Sequence, residues 1–234
     1  MLSGSTHLCI ERRQHDIFEL VAIKEIIELL EQEYGPCKWQ PDRDPVDVLV
    51  GTILSQNTSD ANSGRAFASL KASFASWEAV ASAPAEHIAQ VIKSGGLSQI
   101  KTVRIKQVLE QIEKEQGRIS LDSLKSMNMA EAEDYLMRLP GVGHKTASCV
   151  VLFSLGKPSL PVDTHVFRVA KRLGLIDSKT SIEKAHSLLQ EQIPPSKVYQ
   201  FHIHMIEHGR QICHARQPRC DRCILRVICP SSLY

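Results

Sequence analysis

The sequence has no long hydrophobic run. No stretch of the 234 residues approaches the length of a membrane-spanning helix, and residues 1–16 have no sustained apolar core of the kind that a secretory signal needs. We therefore expect neither secretion nor membrane insertion, and an intracellular location. The chain also has no heptad array, no repeat of fixed period and no low-complexity segment, which excludes a coiled coil and a solenoid.

The chain has little excess charge of either sign. A net charge of +2 permits a nucleic-acid partner without arguing for one. The distribution is more informative, because residues 210–226 contain five arginines and a single acid, Asp221. That segment would suit a phosphate-facing surface, although a solvated face is the ordinary interpretation.

The sequence has no convincing pair of alternating strands, so the predicted fold is all-α. The hydrophobic content of 43% is enough to bury a core, and apolar residues recur at helical spacing. Helices are predicted at residues 17–34, 46–55, 62–74, 77–81, 84–93, 99–116, 121–127, 131–139, 146–155, 164–173, 183–192 and 196–212.

Residues 139–147, LPGVGHKTA, predict a hairpin between two helices. Pro140 ends the first helix, and the glycines on either side of Val142 permit backbone angles that a side chain disfavours. Unpaired N–H groups at the start of the second helix would suit a single backbone phosphate. A nucleotide polyphosphate fits less well, because no G-x-x-x-x-G-K-[ST] loop follows a strand. An ordinary glycine-containing turn is the alternative.

Two residues near this hairpin could carry chemistry. Lys145 is either a charged anchor for phosphate or an amine nucleophile. Because roughly one lysine in a few thousand is neutral at pH 7, a nucleophile needs a desolvated site or a nearby base. Asp163, in the later run Val162-Asp163-Thr164-His165, could be that base, but an aspartate that opens a helix at Thr164 is also a good N-cap.

Four of the seven cysteines lie close together near the end of the chain. Because no secretory signal is present, the cysteines indicate free thiols or a metal site rather than a disulfide framework. The four have the spacing C-x6-C-x2-C-x5-C, and they are Cys213, Cys220, Cys223 and Cys229. A tetrahedral zinc site is the generic interpretation, but zinc ribbons usually have two C-x2-C pairs and this segment has one.

LPGVGHKTA, an apolar helix and then PVDTHVFRVAKRLG resemble the helix-hairpin-helix plus Gly/Pro-Asp motif of the endonuclease III superfamily of DNA glycosylases. The cysteine spacing matches the cluster loop of the same family. The resemblance implies that Lys145 is the nucleophile, that Asp163 is its partner and that the four cysteines hold a [4Fe–4S] cluster. It also implies a bifunctional enzyme that removes damaged, oxidised pyrimidines and cleaves the abasic strand by β-elimination through a lysine Schiff base.

The resemblance also assigns DNA-contacting residues outside the catalytic pair. Gln56, in the run LSQNTSD, matches the glutamine that fills the space left by a flipped nucleotide, although such a polar cluster is ordinarily a helix connection. Leu97, after a double glycine, matches the apolar wedge that enters the base stack, although a leucine there is usually a core residue. The further DNA-binding candidates are Gly141, Val142, Gly143, His144 and His165, of which His144 stands where many relatives carry arginine.

Domain organisation and partners are likewise implied by the family. Residues 1–40 and 149–234 would form one domain, with the cluster loop at 213–229, and residues 41–148 a six-helix domain that ends in the hairpin. Double-stranded DNA with damaged bases or abasic sites would bind a monomer in the cleft between them. A glycosylase for mismatched thymine or uracil, and a non-catalytic helix-hairpin-helix protein, are the alternatives.

Overall fold

The computed structural model of the chain describes residues 23–40 and 43–232. Over these residues it is helical and contains no β-strand, which confirms the predicted all-α fold. The first helix, α1, occupies residues 23–34 of the described part, and the predicted residues 17–22 lie outside it. The others are α2 Pro45–Ser55, α3 Asp60–Ser73, α4 Trp77–Ser82, α5 Ala85–Val91, α6 Ser98–Gln116, α7 Met129–Met137, α8 His144–Leu155, α9 Thr164–Arg172, α10 Ile182–Gln192 and α11 Val198–Gln211.

The chain divides into two compact units. Among the described residues, those from 39 to 161 form the central unit, and residues 23–38 with 162–232 form the terminal unit. The first division lies close to the predicted one at residue 40, but the second lies at residue 161 rather than 148. The reason is that α8 packs along α2 and against α7, so the whole helix belongs to the central unit.

The central unit is built around α2, which is buried along most of its length. Its N-terminus is fixed by Asp44, whose carboxylate accepts hydrogen bonds from Val46 N and Asp47 N, with Pro45 in the first turn. α2 packs against α3, α6 and α8. The fully buried side chains of α2 are Val46, Leu49, Val50, Ile53 and Leu54, so this helix forms the centre of one continuous apolar core.

The terminal unit places α9 against α11. Asp163 caps α9, and Ser181 caps α10. α11 is unusual in burying three histidines, His202, His204 and His208, together with Phe201 and Met205. This helix leads directly into the cysteine-containing segment, so its packing positions that segment.

Several predicted boundaries shift by one or two residues, and one of these shifts affects the hairpin. The second hairpin helix begins at His144 rather than Thr146, so His144 and Lys145 lie in its first turn. The segment predicted as helix at 121–127 is a short 3₁₀-helix, Asp122–Ser126. None of the helices described is both long and apolar enough to cross a bilayer.

Candidate functional site

The hairpin between α7 and α8 exposes its backbone at the tip. α7 begins with a capping box of Asn128 and Glu131, and Gly141 adopts a left-handed φ of +71°. Val142 is buried, with 7% of its surface exposed, whereas the flanking glycines are exposed. Val142 therefore anchors a turn whose glycine backbone faces outward.

α8 starts without a side-chain cap, as do α5, α6 and α11, whereas six other described helices have one. Its N-cap is Gly143, whereas Asp44, Ser59, Ser76, Asn128, Asp163 and Ser181 each accept a hydrogen bond at the start of their own helices. A glycine N-cap has no side-chain oxygen to pair with the first N–H groups, where the helix dipole favours an anion. The first turn of α8 is thus suited to bind a phosphate oxygen.

Lys145 lies in that first turn and is half-buried. The next residues of α8, from Thr146 to Leu152, are all buried, so the lysine marks the point at which the helix leaves the surface. Its ammonium has no ion-pair partner among the described residues of the chain.

Gln56 is at the C-terminal end of α2, where the chain turns sharply. It is half-buried, and the next residue, Asn57, has a left-handed φ of +53°. The side-chain oxygen of Gln56 accepts a hydrogen bond from Arg104 Nη1. The turn thus projects a polar side chain that is already oriented by a partner on α6.

Leu97 lies on a second sharp turn, immediately before α6. It is 52% exposed, so the core interpretation of this leucine is wrong for the free protein. Its backbone is left-handed, with φ +48° and ψ +37°, which is unusual for a residue other than glycine and is energetically unfavourable. An exposed apolar side chain on a strained turn is a pattern typical of functional positions.

Arg104 and Lys101 extend the site beyond the residues identified from sequence. Arg104 lies between Gln56 and Gly141 and contacts both. Lys101 is buried and donates hydrogen bonds to Leu54 O and Gly95 O. One pattern in the sequence points to these two residues. They lie four and seven positions after Leu97, and residues at such spacings share a helix face.

Asp163 is the N-cap of α9 in the terminal unit. Its Oδ1 accepts hydrogen bonds from His165 N and Val166 N, each at 2.8 Å. Asp163 therefore caps α9, as the alternative interpretation of this residue predicted, and the cap uses one of its two carboxylate oxygens. His165 Nδ1 accepts a hydrogen bond from Arg168 Nη2 at 3.1 Å, so the ring is held within its own unit with Nε2 as the N–H donor.

The four C-terminal cysteines line one cavity. None of the four forms a disulfide. No three of the described His, Cys, Asp and Glu side chains are gathered as ligands of a single ion. Cys9 lies outside the described residues, Cys37 is half-buried, and Cys149 is buried in α8.

The surroundings of two of these sulfur atoms favour the neutral thiol over the thiolate. Burial raises the pKa of Cys223 to about 11, with a further contribution from the other three thiols, and burial also raises the pKa of Cys229. Arg172 Nη1 donates to Cys213 Sγ at 3.2 Å, and His208 Nε2 lies 3.5 Å from Cys223 Sγ. Thiolates would therefore form here only with a cationic centre beside them.

Comparison with known proteins relates this architecture to DNA repair. Residues 50–195 match the model of the HhH-GPD superfamily base excision DNA repair proteins. A putative DNA glycosylase, At3g47830 of Arabidopsis thaliana, is 40% identical over 72% of this chain and 57% of its own length. Endonuclease III of Thermotoga maritima is 35% identical over 80% of this chain and 84% of its own length.

Solved structures extend the similarity to the fold. A trapped covalent intermediate of endonuclease III with DNA superposes with a TM-score of 0.79 at 29% identity, over 91% of this chain and 96% of that one. The chain thus spans nearly all of an endonuclease III, but only a little over half of the Arabidopsis relative.

Proposed function

This chain belongs to the HhH-GPD superfamily of base excision DNA repair proteins, and we propose that it excises oxidised pyrimidines from duplex DNA and then cleaves the abasic strand. The predicted family is confirmed by the family match and by its endonuclease III relatives, and with it the enzyme class, a DNA glycosylase with lyase activity. The observation that most supports this proposal is the position of Lys145, which lies in the first turn of a helix whose N-terminus lacks a side-chain cap.

The proposed role of Lys145 is nucleophilic attack on the sugar. Its Nζ attacks C1′ as the bond from C1′ to the base breaks, and the base leaves with the bonding electron pair and a proton. Opening of the sugar gives an imine between Lys145 and C1′. Removal of a C2′ proton then expels the 3′ phosphate, which cuts the strand. The covalent intermediate trapped for endonuclease III supports such a step.

Asp163 is proposed to act as the base for this amine. Both of its observed hydrogen bonds use Oδ1, so the proposal assigns the amine proton to Oδ2. The same carboxylate would stabilise the positive charge that develops on the sugar. Capping and catalysis are compatible, because the cap fixes the orientation of the second oxygen.

DNA binding is proposed to use the exposed turns of the central unit. The backbone at Gly141 and Gly143 would hold a phosphate at the start of α8. Leu97 and Gln56 would fill the gap left when the damaged nucleotide leaves the stack, which offsets part of the unstacking cost of a few kcal/mol. His144 and His165 are proposed as additional DNA contacts. We propose a monomer as the acting form.

The cysteine cavity is proposed to hold a [4Fe–4S] cluster. Four sulfur donors that line one cavity fit a cluster that needs four thiolates, whereas zinc ribbons usually have two C-x2-C pairs and this segment has one. When bound, the cluster supplies charge neutralisation for four thiolates and has no open iron position. The residues around it would then hold the arginine-rich segment 210–226 in place, and all five of its arginines are exposed.

Borohydride trapping on a duplex that contains thymine glycol tests the proposed activity. Wild type should give a covalent protein–DNA adduct that Lys145→Ala loses. The matched control is Lys114→Ala, which removes an exposed lysine in the last turn of α6 and should leave the adduct intact. An adduct on an abasic duplex but not on the thymine glycol duplex would reject oxidised pyrimidines as the substrate, while the proposed lyase activity would stand. Strand cleavage retained by Lys145→Ala would reject the nucleophile.

A further inference from the structure

α6 contains a buried lysine that has no carboxylate partner. Only 2% of the surface of Lys101 is exposed, and in the described part of the chain no carboxylate lies within ion-pair distance of its ammonium. The Nζ instead donates to two backbone carbonyls, Leu54 O at 2.7 Å and Gly95 O at 2.8 Å. Burial lowers the pKa of Lys101, as expected where desolvation disfavours the charged form.

The two carbonyls belong to the two turns that carry the proposed gap-filling side chains. Leu54 lies two residues before Gln56, at the end of α2. Gly95 lies two residues before Leu97, at the end of a 3₁₀ turn. Lys101 is therefore the group that connects these turns directly, although they are about forty residues apart in sequence.

Both turns contain a left-handed residue, and the strain is greater at Leu97, because asparagine tolerates this conformation better than leucine does. Asn57 and Leu97 each have a left-handed backbone, and neither is a glycine. Such conformations persist only where the surrounding structure holds them. The hydrogen bond from Lys101 to Gly95 O is one such restraint on the Leu97 turn, and the bond to Leu54 O is the matching restraint on the Gln56 turn.

We propose that Lys101 is a positioning residue whose ammonium holds the Gln56 and Leu97 turns at the separation that lets both side chains enter one gap in the base stack. The inference rests on the proposed function, because it assigns a purpose to the two turns that only a base-flipping enzyme needs. Lys101 itself would not touch the DNA. Its effect would be confined to steps that require both side chains at once.

A lysine that merely caps the end of a helix is the competing explanation. Carbonyls at a helix C-terminus are good partners for an ammonium, and Leu54 O is one of them. α6 supplies a matched control for that explanation. Lys106 Nζ also donates to two carbonyls, Ala81 O and Ala83 O, but at the end of α4 and away from either turn. Lys101→Met and Lys106→Met therefore remove the same kind of contact at different places.

The first measurement reports gap filling without any chemistry. A duplex with a tetrahydrofuran abasic analogue opposite 2-aminopurine is titrated with each protein, because 2-aminopurine fluorescence changes when its stacking is disturbed. Wild type and Lys106→Met should give the change at saturation, and Lys101→Met should lose most of it, as should Leu97→Ala with Gln56→Ala. A full change with Lys101→Met, or none with wild type, would overturn the proposal.

The second measurement separates positioning from general damage. Single-turnover lyase rates are compared on an abasic duplex and on an abasic single strand, where no base stack needs filling. Lys101→Met should slow the duplex reaction by about 10- to 100-fold, the range expected for small misplacements, and leave the single-strand rate nearly unchanged. Equal slowing on both substrates would mean a merely structural role. Absence of lyase activity in wild type would count against the proposed function alone, because the fluorescence result stands independently.

A folding failure of Lys101→Met does not remove the test. Circular dichroism and thermal melting identify that case, and Lys101→Gln then replaces it, because its amide can still donate to one carbonyl without a buried charge. Its side chain is one bond shorter and should no longer bridge both carbonyls, so it should also lose most of the fluorescence change; a full change would overturn the proposal. A double-mutant comparison completes the design. If Lys101 acts through the two turns, Lys101→Met should have little further effect in a Leu97→Ala/Gln56→Ala background; independent effects would contradict the proposal.

Discussion

Arg104 and Gly141 are in such close contact that a β-carbon on the glycine would overlap the Arg104 side chain. An ideal Cβ at Gly141 would lie 2.9 Å from Arg104 Cδ and closer still to Nε. The same guanidinium donates to Gln56. The tip of the hairpin, α6 and the Gln56 turn are thus in contact through one arginine, and a glycine is required where it crosses the hairpin.

Gly141→Ala should therefore weaken both the fold and DNA binding. The left-handed φ of +71° disfavours alanine, by about 1–2 kcal/mol, and Arg104 must also move. Gly143→Ala is the control, because its φ is −103° and a Cβ there would meet nothing within 4 Å. Urea unfolding should show a loss of stability for Gly141→Ala that Gly143→Ala lacks. Equal losses for the two variants would contradict this account.

At Leu97, the left-handed backbone should make a glycine variant more stable than an alanine variant. Because its φ is +48°, Leu97→Gly should relieve strain that Leu97→Ala retains, and should be more stable than Leu97→Ala by about 1 kcal/mol. Both variants lack the proposed wedge, so both should excise a damaged base from duplex DNA more slowly than wild type. Thermal or urea unfolding orders the stabilities, and a Leu97→Ala protein more stable than Leu97→Gly would mean that the turn is not strained.

Local signals in the sequence were enough for the helices and for the hairpin. Asn128 and Glu131 form a capping box, and Gly35 ends α1 with a left-handed φ of +76°. These features depend on neighbours three or four residues away, which periodicity and capping rules describe. The start of α8 was missed by two residues, because a glycine N-cap gives no side-chain signal for the exact boundary.

The long-range contacts of the site could not be predicted in the same way. Lys101 and Arg104 look like ordinary surface residues of an amphipathic helix until the positions of Leu54, Gly95 and Gly141 are known. Their partners lie up to about fifty residues away in sequence, so no local rule identifies those partners. The roles assigned to Lys145 and Asp163 stay predictions from family resemblance, since hydrogen bonding alone explains Asp163 as a helix cap.

Arg172 should help to retain the proposed cluster. Its Nη1 donates to Cys213 Sγ at 3.2 Å and to His214 O at 2.7 Å, while its carbonyl accepts from the Cys229 thiol at 3.4 Å. Arg172→Met removes the side-chain contacts, including the stabilising charge near a thiolate. We expect purified Arg172→Met to contain less iron and sulfide per chain and to lose its visible absorption faster in a chelator.

Arg222→Met is the control for that loss. Arg222 is exposed in the same segment and does not line the cavity, so its removal should leave iron content at the wild-type value. Zinc in place of iron in the wild-type protein, measured by elemental analysis after anaerobic purification, would reject the cluster. Equal iron loss in both arginine variants would reject the specific role of Arg172.

His204 should make the stability of the protein depend on pH below neutrality. It is buried in α11, with Nε2 lacking a hydrogen-bond partner in the described structure. Burial lowers its pKa below the ordinary value of 6.5, and this effect outweighs the opposing influences around it. The groups that face it are the ring of Tyr34, whose centroid is 5.7 Å away, the Gly35 carbonyl, the acids Glu31 and Glu207, and Lys197.

The sign of the dependence follows from the direction of that shift. Because the folded protein holds the His204 proton less tightly than the unfolded chain, the stability contribution is complete above the unfolded pKa and is lost as the pH falls below it. The slope from one such group is at most about 1.4 kcal/mol per pH unit. His204→Asn, which keeps a donor for the Gly35 carbonyl but cannot be protonated, should flatten the slope. Urea unfolding of both proteins at about pH 7 and pH 5 measures the difference, and parallel losses of stability would show that other groups titrate instead.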